Sequence, residues 1–169
     1  MMSTLTQPRR WNELNSCVYS NNAVRIKLIL RNMSLDERNN HLEHLERGAT
    51  LLQHACWAHK EKSVEALLDF MNRDQINQRS GFNTGKTALL FLISKQMGLN
   101  GENLPPNYEG RDLSGSRILP LLISRGADVR VSYVQGSNVW TALDKAQYLS
   151  RFPRMAQMIL NQIAEEEAN

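Results

Sequence analysis

Apolar positions recur along this chain in short runs at helical spacing, and polar turns separate the runs. Two blocks keep the same register: an apolar run opens after Thr50 and another after Thr141, and in both a second run begins fourteen residues beyond the threonine, at Val64 and at Met155. This spacing predicts a short helix, a turn and a second amphipathic helix in each block. Such self-similarity is typical of a solenoid, in which no unit buries its apolar face alone.

A third threonine, Thr87, follows Gly85 and Lys86 and precedes the apolar residues 88–93. The stretch suggests a phosphate-binding loop, whose backbone N–H groups would wrap the phosphates while the lysine reaches the outer ones. Such a loop needs four residues between its glycines, whereas only three separate Gly81 from Gly85, and the polar segment before it does not indicate a buried strand. We therefore favour a helix that starts after Thr87, with Thr87 as its cap and Gly85 in the preceding turn.

The same threonine signature carries a resemblance to a known family. Residues 48–52 read Gly-Ala-Thr-Leu-Leu, and residues 118–129 read Ile-Leu-Pro-Leu-Leu-Ile-Ser-Arg-Gly-Ala-Asp-Val. Together with a degenerate first copy that starts at Asn12, these blocks resemble ankyrin repeats, whose pattern opens on G-x-T-P-L-H-x-A-A and closes on G-A-D-V-N. The resemblance implies an all-α repeat solenoid of about four ankyrin repeats, each a helix-turn-helix with a hairpin-like finger loop.

The resemblance covers nearly the whole chain as one domain, residues 10–164. The implied segments are a flexible N-terminus at 1–9, repeats at about 10–47, 48–84, 85–138 and 139–164, and an acidic C-terminal tail at 165–169. The third repeat is interrupted: its first helix should end near Met97 and its second should begin near Ser116, with a Gly-, Pro- and Asn-rich loop inserted at 98–115. Pro120 then falls early in that second helix, where its missing N–H is tolerated.

In ankyrin arrays the first helices line a concave groove with finger loops at its rim, so the resemblance implies a non-enzymatic module that binds a partner protein there. The positions that most often meet partners are the seventh after the cap and the one just before it. With Asn12 as the first cap, the seventh positions hold Tyr19, Trp57, Ser94 and Tyr148. The positions before the cap hold Trp11, Ala49, Lys86 and Trp140. Further candidates on the fingers or in the groove are Lys95, Arg79, Phe82 and Tyr133.

All three tryptophans of the chain fall on these partner-facing positions, and the anchors of protein interfaces are enriched in Trp, Tyr and Arg. The competing interpretation is that these aromatic residues pack between neighbouring repeats or against the ends of the array. Two other functions remain as alternatives. One is a nucleotide-binding switch or enzyme that uses Gly85, Lys86 and Thr87, and the other is weak nucleic-acid binding.

The composition of the chain narrows the classes of function and location that remain. The net charge of +3 comes from 20 basic and 17 acidic residues that are scattered along the chain, so we expect no nucleic-acid partner. The longest apolar run is far too short to cross a bilayer, and the N-terminus has no apolar signal region. The sequence therefore predicts an intracellular, cytoplasmic protein without membrane insertion, and we expect it to be monomeric on its own.

Cysteines and histidines are the remaining candidates for chemistry. Cys17 and Cys56 lie in apolar helical contexts, and we expect two reduced, inert thiols in the core. The four histidines lack further ligands at a recognised metal spacing, even where His41 and His44 stand three residues apart. The sequence therefore predicts no catalytic residues, no metal and no cofactor.

The C-terminal residues 164–169 form a short acidic run after an amphipathic helix, and their three glutamates oppose the helix dipole. One interpretation is a solvated helix end. A small, divergent ankyrin protein with a Glu-rich C-terminal patch is also similar to the effectors that intracellular bacteria translocate through type IV secretion. That resemblance implies an effector that acts on a host protein in the host-cell cytoplasm.

Overall fold

The computed structural model describes residues 7–81, 85–96, 113–148 and 153–168. Within them the chain is mostly helical with one small antiparallel sheet, which agrees with the predicted all-α class. The helices are α1 (Gln7–Tyr19), α2 (Ala23–Arg31), α3 (Leu35–Glu43), α4 (Leu51–Trp57), α5 (Glu61–Leu68), α6 (Arg73–Ile76), α7 (Ala88–Gln96), α8 (Leu113–Ser124), α9 (Ala142–Tyr148) and α10 (Pro153–Ala168). The strands β1 (Ser132–Gln135) and β2 (Asn138–Thr141) form a hairpin between α8 and α9.

Eight of the described helices pack as consecutive pairs: α1 on α2, α4 on α5, α7 on α8, and α9 on α10. The first helices of the pairs contact one another in the order α1, α4, α7, α9, which we call the first row. The second helices do the same in the order α2, α5, α8, α10, which we call the second row. Every pair contributes fully buried side chains to the core, among them Leu14, Ile26, Leu52, Leu67, Leu89, Leu122, Ala142 and Ile159. Burial of each large aliphatic side chain contributes about 1.5–3 kcal/mol, so apolar contact holds each pair to the next.

Threonines begin two helices of the first row, as the sequence predicts. The Thr50 hydroxyl accepts from the backbone N–H of Gln53 at 3.2 Å, and the Thr50 N–H donates to the Gln53 side chain at 3.1 Å. Thr141 makes the same reciprocal pair with Asp144 at the start of α9, at 3.0 and 2.8 Å. At each helix start two backbone N–H groups that would otherwise lack a partner are therefore satisfied.

Thr87 precedes α7 at the predicted place, but its side chain does not cap the helix. Its carbonyl accepts from the Phe91 N–H at 2.9 Å, whereas its hydroxyl oxygen is buried and has no hydrogen-bond partner in the described part of the chain. The residue three positions further on is Leu90, which has no polar atom to complete a capping box. The predicted cap bond is therefore wrong. The turn role of Gly85 is confirmed, because its φ of +58° lies in the left-handed region that favours glycine.

The third pair differs from the prediction at its second helix. α8 starts at Leu113 rather than near Ser116, so Pro120 lies inside the helix and not in its first turn. The expected early position of Pro120 was wrong because the helix begins further upstream than the apolar pattern indicates. A proline in a helix interior removes one backbone hydrogen bond and crowds the preceding turn. Most of the predicted inserted loop lies outside the described residues.

Helices extend into both terminal segments that the sequence separates from the repeats. α1 begins at Gln7, inside the predicted flexible N-terminus, whose first six residues lie outside the described part. α10 continues to Ala168, and Arg130 forms ion pairs with Glu166 at 3.4 Å and Glu167 at 3.0 Å. The acidic run therefore lies at a helix end, which was one of the two interpretations of the sequence, and its glutamates contact the segment between α8 and β1.

Two further helices that the apolar pattern does not predict, α3 and α6, follow the second helices of the first two pairs. Ser34 caps α3 by accepting from the N–H of Glu37 at 3.2 Å. At α6, Gln75 completes a capping box, and its side-chain amide also donates to the Glu43 carboxylate at 2.9 Å. The contact between Gln75 and Glu43 joins α3 and α6 to each other.

Candidate protein-binding surface

Two large aromatic side chains are exposed at equivalent places in the first row. Tyr19 is the last residue of α1 and is 41% exposed, and Trp57 is the last residue of α4 and is 46% exposed. Both are predicted partner-facing residues, and they belong to neighbouring helices because α1 contacts α4. The side chains at the two later seventh positions, Ser94 and Tyr148, lie outside the described residues.

The same turn follows both helices and presents both aromatic residues. After each helix, two successive N–H groups donate to carbonyls three and five residues earlier, at 2.9–3.1 Å. The first of these N–H groups belongs to Asn21 after α1 and to His59 after α4, and these residues adopt positive φ angles of 56° and 54°. Such a doubly bonded ending closes the last turn tightly, so it fixes the direction in which the final side chain leaves the helix.

Tyr19, His54 and Trp57 form what we call the aromatic surface. The Tyr19 hydroxyl and His54 Nδ1 are 3.1 Å apart, and the two ring centroids are 6.1 Å apart. The other ring nitrogen of His54 is 3.3 Å from the backbone carbonyl of Glu46. Trp57 stands three residues after His54 on α4, so the two side chains lie on one face of that helix. These hydrogen bonds hold side chains from two helices in one arrangement.

The loop before α4 is a tight turn at the edge of this surface. Glu46 and Ala49 exchange two backbone hydrogen bonds of 3.0 Å around Arg47 and Gly48. The φ angles of these two central residues, 49° and 78°, are both positive, as in a type I′ turn. The Gly48 carbonyl also accepts from the N–H of Gly81 at 2.9 Å, so the loops before α4 and α7 are bonded to each other.

Arg79 joins the loop before α7 to the β1–β2 hairpin. Its guanidinium donates to the carbonyls of Gly85 at 3.2 Å and Ser132 at 2.9 Å. The hairpin turns at Gly136, whose φ is +63°. Arg79, a predicted partner contact, is exposed but already holds two loops together. Of the other predicted finger and groove residues, Phe82 and the side chain of Lys95 lie outside the described residues.

Trp11 packs in the core, contrary to the prediction that it faces a partner. It is 7% exposed, its indole N–H donates to the Glu46 carboxylate, and its ring meets His44 edge to face with centroids 4.7 Å apart. A buried tryptophan whose N–H has an acceptor is a stable core residue. Trp11 therefore offers little area to a partner and instead holds α1 against the loop before α4.

Tyr133 is also buried, at 2% exposure, so its predicted role as a contact residue is not supported either. Its ring stands near two lysine amines: Nζ of Lys86 is 4.7 Å from the ring centroid and Nζ of Lys145 is 5.7 Å from it. The Lys145 amine is also 3.8 Å from the ring centroid of Trp140. We call these four residues the lysine–aromatic cluster. Burial lowers the pKa of Lys86, and burial together with the charge of Lys86 lowers the pKa of Lys145.

The backbone around Lys86 is engaged within the chain. Its N–H donates to the Ser80 hydroxyl at 3.1 Å, and its carbonyl accepts from the Ser80 N–H at 2.9 Å. The hydroxyl of Thr87 is buried. A phosphate would need free backbone donors and an accessible hydroxyl here, so this part of the loop gives the nucleotide alternative no support.

Cys17 and Cys56 are buried free thiols, as the sequence predicts. Burial raises the pKa of both, which keeps them protonated near neutral pH and poorly nucleophilic. Among the residues that the structure describes, no three His, Cys, Asp or Glu side chains are grouped as a metal site requires. None of the described helices is both long enough and apolar enough to cross a membrane.

Two residues that the sequence analysis does not single out as contacts, His54 and Lys145, help to build these sites. Both stand four residues after a threonine that caps a helix, and so they share a face with the seventh position. That shared spacing is the sequence signal that could have indicated His54 and Lys145 as site residues. This chain matches no protein-family model and no curated protein.

Proposed function

We propose that this chain is a non-enzymatic binding module that docks a partner protein on the aromatic surface and the neighbouring loops, within an ankyrin-type solenoid of about four repeats. The observation that carries the proposal is the exposure of Tyr19 and Trp57 at the same position of two consecutive helix pairs. Single exposed aromatic residues are common on proteins. Here two lie on adjacent helices, and His54 is hydrogen-bonded to Tyr19 and shares a helix face with Trp57, so together they offer the kind of patch that partners cover.

Three recurring features support the repeat architecture. The helices of each row contact in sequence order, as expected when each unit packs on its neighbours. The same doubly bonded turn ends α1 and α4. The same threonine signature precedes α4, α7 and α9. The alignment of these features from pair to pair is what the ankyrin resemblance requires.

The chemistry of the aromatic surface supports protein binding in particular. Tyrosine and tryptophan supply large apolar area together with a polar group, and they dominate the binding energy of protein interfaces. Tyr19 is hydrogen-bonded to His54, which in turn contacts the Glu46 carbonyl. Side chains held in this way lose less conformational entropy when a partner binds, so more of the contact energy appears as affinity.

The proposed setting is the interior of a cell, where the partner is a cytoplasmic protein. Buried reduced thiols are typical of a reducing compartment. If the chain is a translocated effector, the partner is a host protein, and support for that version comes from the Glu-rich C-terminus alone.

The experiment is affinity capture from a cell lysate with the double variant Tyr19→Ala/Trp57→Ala. Its matched control is Val24→Ala/Leu28→Ala, which removes two exposed apolar side chains from α2 in the second row. We expect the wild type and the control to capture the same partner, and the aromatic variant to lose it while its circular dichroism spectrum is unchanged. Equal capture by both folded variants would contradict the proposal.

A further inference from the structure

Four elements of the chain meet at the lysine–aromatic cluster. Lys86 belongs to the loop before α7, Tyr133 to β1, and Trp140 and Lys145 to β2 and α9. The two amines lie 4.7 and 5.7 Å from the centroid of the same Tyr133 ring. Two like charges from different helix pairs are therefore brought to one aromatic side chain.

The two lysines differ in their access to solvent. Lys145 is 4% exposed, whereas Lys86 is only half-buried. In the described part of the chain, no carboxylate lies within 4.0 Å of the Lys86 amine. The Tyr133 ring compensates the charge of Lys86 in part, since a cation over the face of an aromatic ring is attracted to it. Lys86 is therefore a cation that an incoming anion can reach.

We propose that the lysine–aromatic cluster is a carboxylate-binding subsite, in which the amine of Lys86 pairs with an Asp or Glu side chain of the partner protein. The inference rests on the proposed binding function and adds the chemistry that the partner carries. Lys86 makes the direct contact. The pairing is stronger than on an open surface, because charges interact more strongly in partly buried surroundings than in water.

The subsite is connected to the aromatic surface through α4. The side-chain amide of Gln53 donates to the Gln78 carbonyl at 2.7 Å and lies 3.4 Å from the Lys86 carbonyl. α4, which carries Gln53, ends at Trp57. A partner that contacts both sites must therefore reach from Trp57, at the end of α4, to Lys86, in the loop before α7.

The test is a titration of the full chain with a Glu-rich decapeptide and with the same peptide in which Gln replaces every Glu, followed by NMR of the lysine Cε groups. We expect the Glu-rich peptide to shift the Lys86 signal and to raise its pKa, because a paired carboxylate favours the charged amine. We expect the Gln-rich peptide to leave the signal unchanged. Lys86→Gln should weaken binding of the Glu-rich peptide about tenfold, and Lys86→Arg should largely retain it.

The matched control is Lys62→Gln, which removes the same charge from an exposed position on α5. Equal weakening by Lys86→Gln and Lys62→Gln would mean general attraction to a basic protein and would overturn the subsite. An unshifted Lys86 signal at saturating peptide would also overturn it. The binding function fails on a different result, retention of the partner by Tyr19→Ala/Trp57→Ala, so the two failures are distinguishable.

Discussion

The helix starts at Thr50 and Thr87 share one sequence signature and differ in their bonding. At the first, Gln53 completes a reciprocal pair with the threonine and also reaches the Gln78 carbonyl at 2.7 Å. At the second, Leu90 occupies the equivalent position, and the threonine hydroxyl is buried without a hydrogen bond. The threonine therefore marks where the helix begins, whereas the residue three positions on decides whether that beginning is hydrogen-bonded.

Magnitudes explain why both arrangements are stable. A capping side chain contributes about 1 kcal/mol. A fully buried leucine such as Leu90 contributes about 1.5–3 kcal/mol. α7 lies between α4 and α9 in the first row, where apolar burial outweighs the missing cap bond. α4 combines a buried apolar face with polar links to the next loop.

The largest effect should come from Gln53→Ala. This change removes one half of the capping box and leaves the Gln78 carbonyl and the Thr50 N–H without their partners. We expect the free energy of unfolding to fall by about 2–3 kcal/mol, because unsatisfied buried groups are costly. Urea denaturation measures it, with Gln157→Ala on the exposed face of α10 as the control. If the free energy of unfolding falls by the same small amount in both variants, Gln53 does not link α4 to the next loop.

A paired substitution tests the comparison at the two threonines. Thr50→Val should lower the free energy of unfolding by about 1–2 kcal/mol, because the cap bond is lost. Thr87→Val should leave stability unchanged or raise it by up to about 1 kcal/mol, because valine has the same shape and removes an unpaired buried hydroxyl. Urea denaturation of the two variants, carried out in parallel, measures both changes in the free energy of unfolding. A similar loss in both would show that the Thr87 hydroxyl is bonded after all.

A smaller effect on stability is expected in the second row. There ion pairs connect neighbouring helix pairs, whereas the first row carries the aromatic surface. The Asp69 carboxylate lies 2.7 Å from Lys27 and 3.0 Å from Arg125, so it connects three successive helix pairs. The hydrogen bond from Lys27, and then that from Arg125, lowers the pKa of Asp69 below its ordinary value. Because the folded-state pKa is depressed, this stabilisation is complete above the unfolded pKa and is lost as the pH falls through the folded pKa.

Asp69→Asn should therefore destabilise the protein at neutral pH by no more than about 1 kcal/mol, since the pair is solvent-exposed and screened. The difference from the wild type should shrink as the pH falls below about 4. Thermal unfolding at pH 7 and pH 3 measures it, with the exposed Asp74→Asn as the control. A difference that persists undiminished at pH 3 would argue against the ion pairs.

Local features were predictable from the sequence because their causes lie within a few residues. The starts of α4, α7 and α9 follow from a threonine and the apolar run behind it, and the burial of Cys17 and Cys56 follows from their apolar contexts. The exposed positions of Tyr19 and Trp57 follow from the resemblance and from their place at helix ends. In each case the residues that carry the sequence signal are also the residues whose structure it predicts.

Features that depend on distant contacts were not predictable. Periodicity shows which face of α1 carries Trp11, but not that Glu46, 35 residues further on, accepts its N–H. The acidic run at the C-terminus is visible in the sequence, but not the contact of Glu167 with Arg130, 37 residues away. The lysine–aromatic cluster likewise joins residues from four elements, and no local pattern indicates that Lys86 and Lys145 approach the same ring.

The most direct test of the central claim is the affinity of the captured partner, measured by calorimetry for the wild type, Trp57→Ala and Leu28→Ala. Truncation of an interface anchor costs 2 kcal/mol or more, which corresponds to an affinity roughly thirtyfold weaker. We predict a loss of about that size for Trp57→Ala and an unchanged dissociation constant for Leu28→Ala, an exposed residue of the second row. Equal dissociation constants for the wild type and both variants would contradict the account.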